Sequence, residues 1–259
     1  MDDPQGTQDQ RCKTYCPVPP QMSRRSLLTQ MSTLGVMTLV SCGRQQRSEP
    51  FTSDMKMEVK AGVEADTTAE TTFDVCELTP PQIEGPYYLN LSDERSEMIR
   101  DRMGIPLLMN LRVTHRDCAP VAGALVEVWH ADAHGVYSGF ADQVEDTTGL
   151  EFLRGEAKCN QNGEVQFVSI YPGWYPGRAV HIHFKVSLHN TTLLTSQFYL
   201  PDEVSTQVYR QAIYEKRGEQ DTLVSNDRFF LRAGDYKDLL MARVEPRHSG
   251  YMATIQVTV

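Results

Sequence analysis

The feature that most constrains the fold is a regular alternation of apolar and polar residues in two separate stretches. Every second residue is apolar from Leu107 to Val113, and the same period returns from Tyr251 to Val259. A period of two places the apolar side chains of a strand on one face, which is then buried against another layer. Residues 203–215 have the spacing of one short helix. Its apolar face would consist of Val204, Val208, Ala212 and Ile213. The pattern predicts an all-β fold, a β-sandwich of mostly antiparallel strands with long loops and one short helix.

Residues 1–42 have the composition of an export signal. The pair Arg24 and Arg25 precedes a modest apolar run that ends at Val40. This run is too short to remain in a bilayer as a span, and the paired arginines resemble a twin-arginine signal. The run closes in LVSC, which resembles the lipobox of bacterial lipoproteins, so Cys42 is the expected lipid anchor. The alternative is ordinary cleavage at nearby small residues. We expect an exported lipoprotein, periplasmic or at the cell surface of a bacterium.

The rest of the chain divides at about residue 73. Residues 43–73 are rich in Thr, Glu, Ala, Gln and Ser and contain few large apolar residues, which predicts a disordered tether. Residues 74–259 are long enough for one domain with a sizeable core, the predicted catalytic domain. A natural start at Met22 would also give a compact signal, and the sequence leaves open whether residues 1–21 are translated. The whole chain is acidic, with a formal net charge of -9, which argues against a nucleic-acid partner.

The segment YPGWYPGRAVHIH, residues 171–183, gathers groups that could bind a metal. His181 and His183 flank one residue in a strand-like run, so both imidazoles share a face and can reach one ion. A bare H-x-H also occurs by chance on amphipathic strands. A second segment, residues 126–140, runs from a strand into a turn that presents Tyr137. Two imidazoles with two phenolates, from Tyr137 and Tyr175, would suit ferric iron (Fe3+) better than zinc or copper.

At these segments the chain resembles the intradiol ring-cleavage dioxygenases, the family of catechol 1,2-dioxygenase and protocatechuate 3,4-dioxygenase. The resemblance covers roughly residues 76–259. It includes CELTPPQIEGPYYL, GVYSGF, FLRGEAKCNQNGEVQF, YPGWYPGRAVHIHFKV, TSQFYLPDE and the closing GYMATIQVTV. By this resemblance the iron ligands are Tyr137, Tyr175, His181 and His183. Arg178 matches the arginine that faces the substrate, and Gln197 matches a glutamine near the iron.

The resemblance implies an oxidoreductase that incorporates both atoms of O2 into a catechol-type substrate. The ring would open between its two hydroxyls and give a muconic acid derivative. Tyr175 would leave the iron and take up a catechol proton, while Tyr137 would stay bound. Arg178 would stabilise developing negative charge, although an arginine after a Pro-Gly pair is usually a surface residue. Tyr171 is expected to be a packing residue, and His130 a structural one.

The cysteines divide between the signal and the domain. Cys12, Cys16 and Cys42 lie in residues 1–42, so an odd number remains in the domain. The resemblance to exported family members implies a disulfide between Cys76 and Cys118. Cys159 would then be a free thiol.

Several alternatives stay open at this stage. A non-catalytic β-sandwich binding module on a lipoprotein tether is the main rival function. A zinc or copper enzyme is a second rival, with Asp132 as its nearest candidate base. Tyr87 and Tyr88 could line the substrate pocket or belong to the core. The expected partners are a catechol and O2, with membrane contact only through the lipid on Cys42. The chain lacks the long helical region with which catechol 1,2-dioxygenases dimerise, so its oligomeric state is open.

Overall fold

The computed structural model describes residues 75–91 and 93–259. The predicted signal (residues 1–42, with its anchor Cys42) and tether (43–73) lie outside the described residues and stay predictions. Eight strands dominate the fold. They are β1 (Pro106–Thr114), β2 (Leu125–Trp129), β3 (Arg154–Lys158), β4 (Glu164–Ile170), β5 (His181–Leu188), β6 (Thr191–Tyr199), β7 (Arg243–Arg247) and β8 (Gly250–Thr258).

The strands form two four-stranded sheets. The first sheet has the order β4-β1-β8-β7, in which β1 and β8 are parallel and the other neighbours antiparallel. The second sheet has the order β3-β2-β5-β6 and is antiparallel throughout. Apolar side chains from both sheets form one core, which includes Met109 and Ile255 from the first sheet and Val126, Ile182 and Phe184 from the second. The β-sandwich prediction is confirmed.

The prediction of a single helix over residues 203–215 is wrong. Two helices replace it, α1 (Asp202–Tyr209) and α2 (Ala212–Glu215), with extended backbone at Gln211 between them. The break turns Tyr214 into the core, where its hydroxyl donates to Tyr171 O at 2.7 Å, and it leaves Ala212 exposed. Tertiary packing of one buried tyrosine therefore outweighs the continuous helical pattern.

Further short helices follow toward the C-terminus. Helix α3 (Arg228–Arg232) is flanked by 3₁₀ turns at Val224–Asn226 and Gly234–Leu240. None of the helices among the described residues is long and apolar enough to cross a membrane.

The predicted disulfide between Cys76 and Cys118 is confirmed. The two Cα atoms are 5.3 Å apart and the residues are 42 positions apart in the chain. Among the described cysteines Cys159 is the free one, and it is buried. The bridge ties the start of the described chain to the turn after β1, in the first sheet.

Segment 75–91 continues from this bridge along the edge of the second sheet. Gln82 N donates to Thr195 O at 3.0 Å, and Ser196 Oγ donates to Pro80 O at 2.6 Å. The segment, called the strap below, covers part of the outer face of the second sheet. That face is where the predicted site residues lie.

Candidate metal centre

Strand β5 carries two kinds of side chain on its two faces. Ile182, Phe184 and Val186 point into the core between the sheets, so the alternation places His181 and His183 on the outer face. Both histidines are nevertheless buried, at 3% exposure each. Their Nε2 atoms lie 3.2 Å apart. The predicted H-x-H pair thus converges on one point.

The hydrogen bonds of His181 define which of its nitrogens faces that point. Its Nδ1 lies 2.6 Å from Ala179 O, and a carbonyl oxygen can only accept, so Nδ1 carries the proton. The lone pair of Nε2 then faces His183 Nε2 and the Tyr175 hydroxyl. In this arrangement one ring nitrogen donates to a backbone oxygen and the other presents an unprotonated lone pair. It is common among metal-binding histidines.

His183 is held by contacts of its ring faces. The ring stacks on Trp129 with centroids 5.1 Å apart and planes 9° apart. Gly85 of the strap has φ +80°, and a Cβ there would lie 3.1 Å from His183 Cε1. Glycine tolerates positive φ and leaves room for the imidazole. The strap can therefore pass directly over the ring.

The two tyrosines reach the same point from loops. Tyr175 Oη lies 3.2 Å from His181 Nε2. The ring of Tyr137 meets that of Tyr175 edge to face with centroids 5.8 Å apart, and that of His183 with centroids 6.1 Å apart. The four predicted ligands are thus brought together. They differ in exposure, since Tyr137 is 1% exposed and Tyr175 is only partly buried.

The arrangement fits a bound cation. The Tyr137 hydroxyl is buried without a hydrogen-bond partner. Such an orphaned polar atom is costly unless something outside the protein chain satisfies it. Two phenolic oxygens and two imidazole nitrogens form a donor set that fits ferric iron. Within residues 75–91 and 93–259, no three or more His, Cys, Asp and Glu side chains gather into a rival metal cluster.

Burial keeps all four groups neutral when no ion is bound. It raises the pKa of Tyr137 well above its usual value, with the neighbouring Tyr175 adding to the effect. Burial also raises the pKa of Tyr175, which the Arg178 guanidinium partly offsets. The pKa values of His181 and His183 are well below the usual range, chiefly through burial. A metal that binds here therefore displaces protons from the two phenols.

Arg178 is a buried residue of the site, 6% exposed, and the surface interpretation of this arginine is wrong. Its Nη1 lies 3.2 Å from Tyr175 Oη and 3.3 Å from His181 Nε2. Its Nη2 donates to Gln197 Oε1 at 2.6 Å. Gln197 in turn donates from Nε2 to Ile83 O of the strap at 2.9 Å. The predicted pair Arg178 and Gln197 thus lies against the four candidate ligands.

The remaining residues singled out in the sequence have other surroundings. Tyr87 stacks on Tyr137 with centroids 4.7 Å apart, and Tyr88 meets Trp129 edge to face at 5.1 Å, so both pack beside the site. Tyr171 is a core residue, as predicted. Asp132 accepts hydrogen bonds from His134 N and Val136 N, which makes it a turn residue. Its other carboxylate oxygen, Oδ2, pairs with Arg102 Nη1 at 3.5 Å, so neither oxygen is available to act as a base at the site.

His130 is a hydrogen-bonded core histidine. Its Nδ1 lies 2.8 Å from Ala131 O and its Nε2 lies 2.7 Å from Ser169 Oγ in β4. Burial lowers its pKa to about 4. It is therefore a neutral link between the end of β2 and the first sheet.

Sequence reasoning missed three residues that support the site. Trp129 closes one side of His183, while Asp227 and Tyr199 lie behind Arg178. Tyr199 stands opposite His181 in the register of β5 and β6, which alternation along TSQFY could have indicated. Asp227 is 49 residues from Arg178, and the local sequence identifies it only as a helix N-cap.

Comparison with known proteins identifies the family of the chain. A dioxygenase family model (Dioxygenase_C) matches residues 83–237. Catechol 1,2-dioxygenase 1 of Acinetobacter lwoffii is 31% identical over 191 residues, covering 62% of this chain and 59% of the relative. The chain thus spans about three fifths of the length of that curated relative.

Solved structures show the same resemblance. An intradiol ring-cleavage dioxygenase from Tetranychus urticae has a TM-score of 0.65 at 27% identity, covering 71% of this chain and 94% of that one. The dioxygenase domain of a dioxygenase carbohydrate-binding protein fusion from Streptomyces sp. SirexAA-E has a TM-score of 0.54 at 28% identity, covering 71% and 98%. The fold is a β-sandwich with a candidate metal site on the outer face of its second sheet. The chain belongs to the intradiol ring-cleavage dioxygenase family.

Proposed function

We propose that this protein is a non-haem Fe(III) dioxygenase that cleaves a catechol-type ring between its two hydroxyls with O2. The product would be a muconic acid derivative. The observation that carries the proposal is the convergence of Tyr137, Tyr175, His181 and His183 on one buried point beside Arg178. When bound there, ferric iron would make the catechol ring reactive toward O2.

The two tyrosines differ in how firmly the chain holds them. The backbone of Tyr137 is fixed by three hydrogen bonds, with Gln143 on both its N–H and C=O and with Thr147 Oγ1 on its C=O, at 2.7–2.8 Å. Tyr175 lies on a turn closed by a 3.3 Å bond from Arg178 N to its carbonyl, and its ring is partly exposed. Tyr137 is therefore suited to be a permanent ligand. Tyr175 is suited to move away and accept a catechol proton.

Arg178 is placed to act on the substrate that replaces Tyr175. Its Nη1 already lies within hydrogen-bond distance of the phenol oxygen, so an oxygen of a catechol in that place would meet the same donor. A fixed cation in a buried site stabilises negative charge without reorganisation. The burial of Arg178 supports this role, because a buried arginine is strongly constrained in direction.

The aromatic residues around Tyr137 would exclude water from the reacting ring. Tyr137 and Trp129 form a buried cluster against which Tyr87, Tyr88 and Tyr175 pack. Tyr88 is anchored by its hydroxyl, which donates to Glu127 Oε1 at 2.7 Å. The flat apolar faces of this cluster suit an aromatic substrate.

The proposal is tested with the full chain loaded with iron. Catechol and O2 are supplied, and O2 uptake is measured together with the ring-opened product. We expect one O2 consumed per catechol and a product cleaved between the hydroxyls. The His183→Ala protein, treated identically, is expected to be inactive. Catechol that is bound but not cleaved, or cleaved outside the hydroxyl pair, would contradict the proposal.

We also propose that the protein is exported and anchored by a lipid on Cys42. Support comes from the Cys76–Cys118 disulfide, since such bonds persist mainly in oxidising compartments. Cell fractionation tests this cellular location. Cys42→Ala should release the protein from membranes, whereas Arg24→Lys with Arg25→Lys should retain it in the cytoplasm. Wild-type protein that is soluble in the periplasm would contradict the anchor and leave export standing.

A further inference from the structure

The carboxylate of Asp227 is the most heavily bonded buried acid next to the metal centre. Its side chain is fully buried and accepts four hydrogen bonds from nitrogen donors. None of these comes from a candidate ligand. Asp227 therefore contacts the groups that support the site, and it has no direct contact with the four ligands.

The two oxygens of Asp227 have separate partners. Oδ1 accepts from Phe229 N at 2.8 Å and from Phe230 N at 3.1 Å, which caps helix α3. Oδ2 accepts from Arg178 Nε at 2.8 Å and from Ala179 N at 3.0 Å. One oxygen is sufficient for the cap, so the second oxygen serves the segment that leads into β5.

Both contacts of Oδ2 lead to the metal centre. The bond to Arg178 Nε holds the back of the guanidinium, so that Nη1 is directed at Tyr175 Oη and His181 Nε2. The bond to Ala179 N holds the residue whose carbonyl accepts from His181 Nδ1. A single carboxylate thus fixes the direction of the arginine and supports the tautomer of one histidine.

A neighbouring phenol completes the support. Tyr199 Oη lies 3.3 Å from Asp227 Oδ1 and receives a 3.3 Å contact from Arg178 Nη2. It also donates to Gln82 Oε1 of the strap at 3.1 Å. The rear of Arg178 is therefore enclosed by the Asp227 carboxylate, the Gln197 amide and the Tyr199 phenol.

A capping function alone does not account for an aspartate at this position. Serine, threonine and asparagine cap helices about as well as aspartate, and a buried carboxylate without a cation is strongly unfavourable. Here the cation is Arg178, and the pairing leaves one edge of the guanidinium free to face the substrate. We propose that Asp227 is a positioning residue, which orients Arg178 toward the bound catechol and supports the His181 ring through Ala179. This inference rests on the proposed function.

The decisive variant is Asp227→Asn. Its amide oxygen can take the place of Oδ1 and keep the α3 cap. Its amide nitrogen then faces the N–H groups of Arg178 Nε and Ala179. Because an amide nitrogen cannot accept a hydrogen bond, both of these bonds are lost. We expect iron content near one per chain and nearly unchanged catechol affinity without O2, but a kcat lower by about 10- to 100-fold, the usual effect of losing an outer support of a metal site.

The matched control is Asp202→Asn. Asp202 accepts from Gln220 Nε2 at 2.6 Å and from Val224 N at 3.1 Å, in the same C-terminal part of the chain. Neither of these hydrogen bonds involves Arg178 or a candidate ligand. The same chemical change there is therefore expected to leave kcat within about 2-fold, as for substitutions away from such features.

A double-mutant cycle with Arg178→Lys separates positioning from general destabilisation. If Asp227 acts through Arg178, then Asp227→Asn should lower kcat by less than about 3-fold in the Arg178→Lys background. An equally large decrease in both backgrounds would overturn the inference. So would a folded Asp227→Asn protein with kcat within 2-fold of wild type. An inactive wild-type protein would instead contradict the proposed function.

If Asp227→Asn does not fold, Asp227→Ser provides a second test of the inference. The serine hydroxyl still caps α3 but is too short to hold Arg178 in place. Thermal unfolding of the iron-free proteins shows which variants fold, and the same kcat and catechol-binding results are expected for Asp227→Ser. If both variants fail to fold while Asp202→Asn folds, Asp227 is a folding residue and the inference is overturned.

Discussion

The two sheets have the same number of strands and share one core, yet the candidate site lies on the outer face of the second sheet alone. On β1, β4 and β8 of the first sheet, the outward positions are exposed polar residues such as Arg112, Gln166 and Gln256. On β5 and β6 of the second sheet, the outward positions include His181, His183, Gln197 and Tyr199, and these four are buried. The strap and the loops around Tyr137 and Tyr175 cover them. Alternation places polar groups on the outer face of both sheets, and a cover turns one such face into a site.

This contrast predicts that changes to the second sheet alter metal binding, whereas changes to the first sheet alter stability alone. The largest effect is expected from His183→Ala. Loss of one imidazole from a four-ligand set should reduce iron to less than about a tenth of an ion per chain, since even outer supports of metal sites are worth 10- to 100-fold. Elemental analysis of the purified full chain measures it. His134→Ala, at an exposed position, should keep its iron, and equal iron in both variants would remove His183 from the site.

The next effect distinguishes the two loop-borne tyrosines. Tyr175→Phe should keep iron through the other three ligands, yet show little colour change with catechol and at least about 100-fold slower turnover, the lower range for a lost proton acceptor. Tyr137→Phe should lose most of the iron, because this phenol is the proposed permanent ligand. Iron content and a visible catechol titration of both proteins test the difference. Identical behaviour would contradict the division of roles.

The third prediction concerns the first sheet. Replacing Cys76 and Cys118 by serine should lower the free energy of unfolding by about 4 kcal/mol, the chain-entropy value for a loop of this length. Urea unfolding measures the loss, and wild-type protein kept in reductant should match the double variant. Iron content should not change, because the strap is held over the site by its own hydrogen bonds with Thr195, Ser196 and Gln197. Iron loss in the refolded variant would show that the two sheets are not independent.

The smallest effect comes from His130, which links the two sheets. Its pKa is about 4 in the folded protein, against about 6.5 when unfolded. Between these values the unfolded chain binds the extra proton, so stability falls as the pH decreases from 6.5 to 4. The shift corresponds to about 3 kcal/mol. Urea unfolding of the iron-free protein at pH 7.5 and 4.5 should show this loss, and His130→Gln should show correspondingly less. Equal pH dependence in the two proteins would disprove the assignment.

The sequence predicts the strands well because alternation is a local signal. It predicts that His181 and His183 share a face for the same reason, and the family resemblance supplies Tyr137 and Tyr175 as their partners. The helix over residues 203–215 is predicted wrongly, since the break at Gln211 depends on where Tyr214 packs.

The residues that hold the site residues in place could not be predicted from the sequence. Asp227 is of a residue type that commonly caps helices, and its ion pair with Arg178 arises only in the folded chain. Arg178 follows a Pro-Gly pair, a local context typical of the surface. Its burial depends on Tyr199 and on the strap. Long-range contacts of this kind have no periodic signature.

The central claim is that the covered face of the second sheet is a ring-cleaving ferric centre. It is tested most directly by turnover of catechol under ¹⁸O2, with the mass of the product measured. The account predicts a muconic acid that carries both labelled atoms, one at each new carboxyl group. A ring-opened product without label from O2, or a ring opened beside the hydroxyl pair, would contradict it.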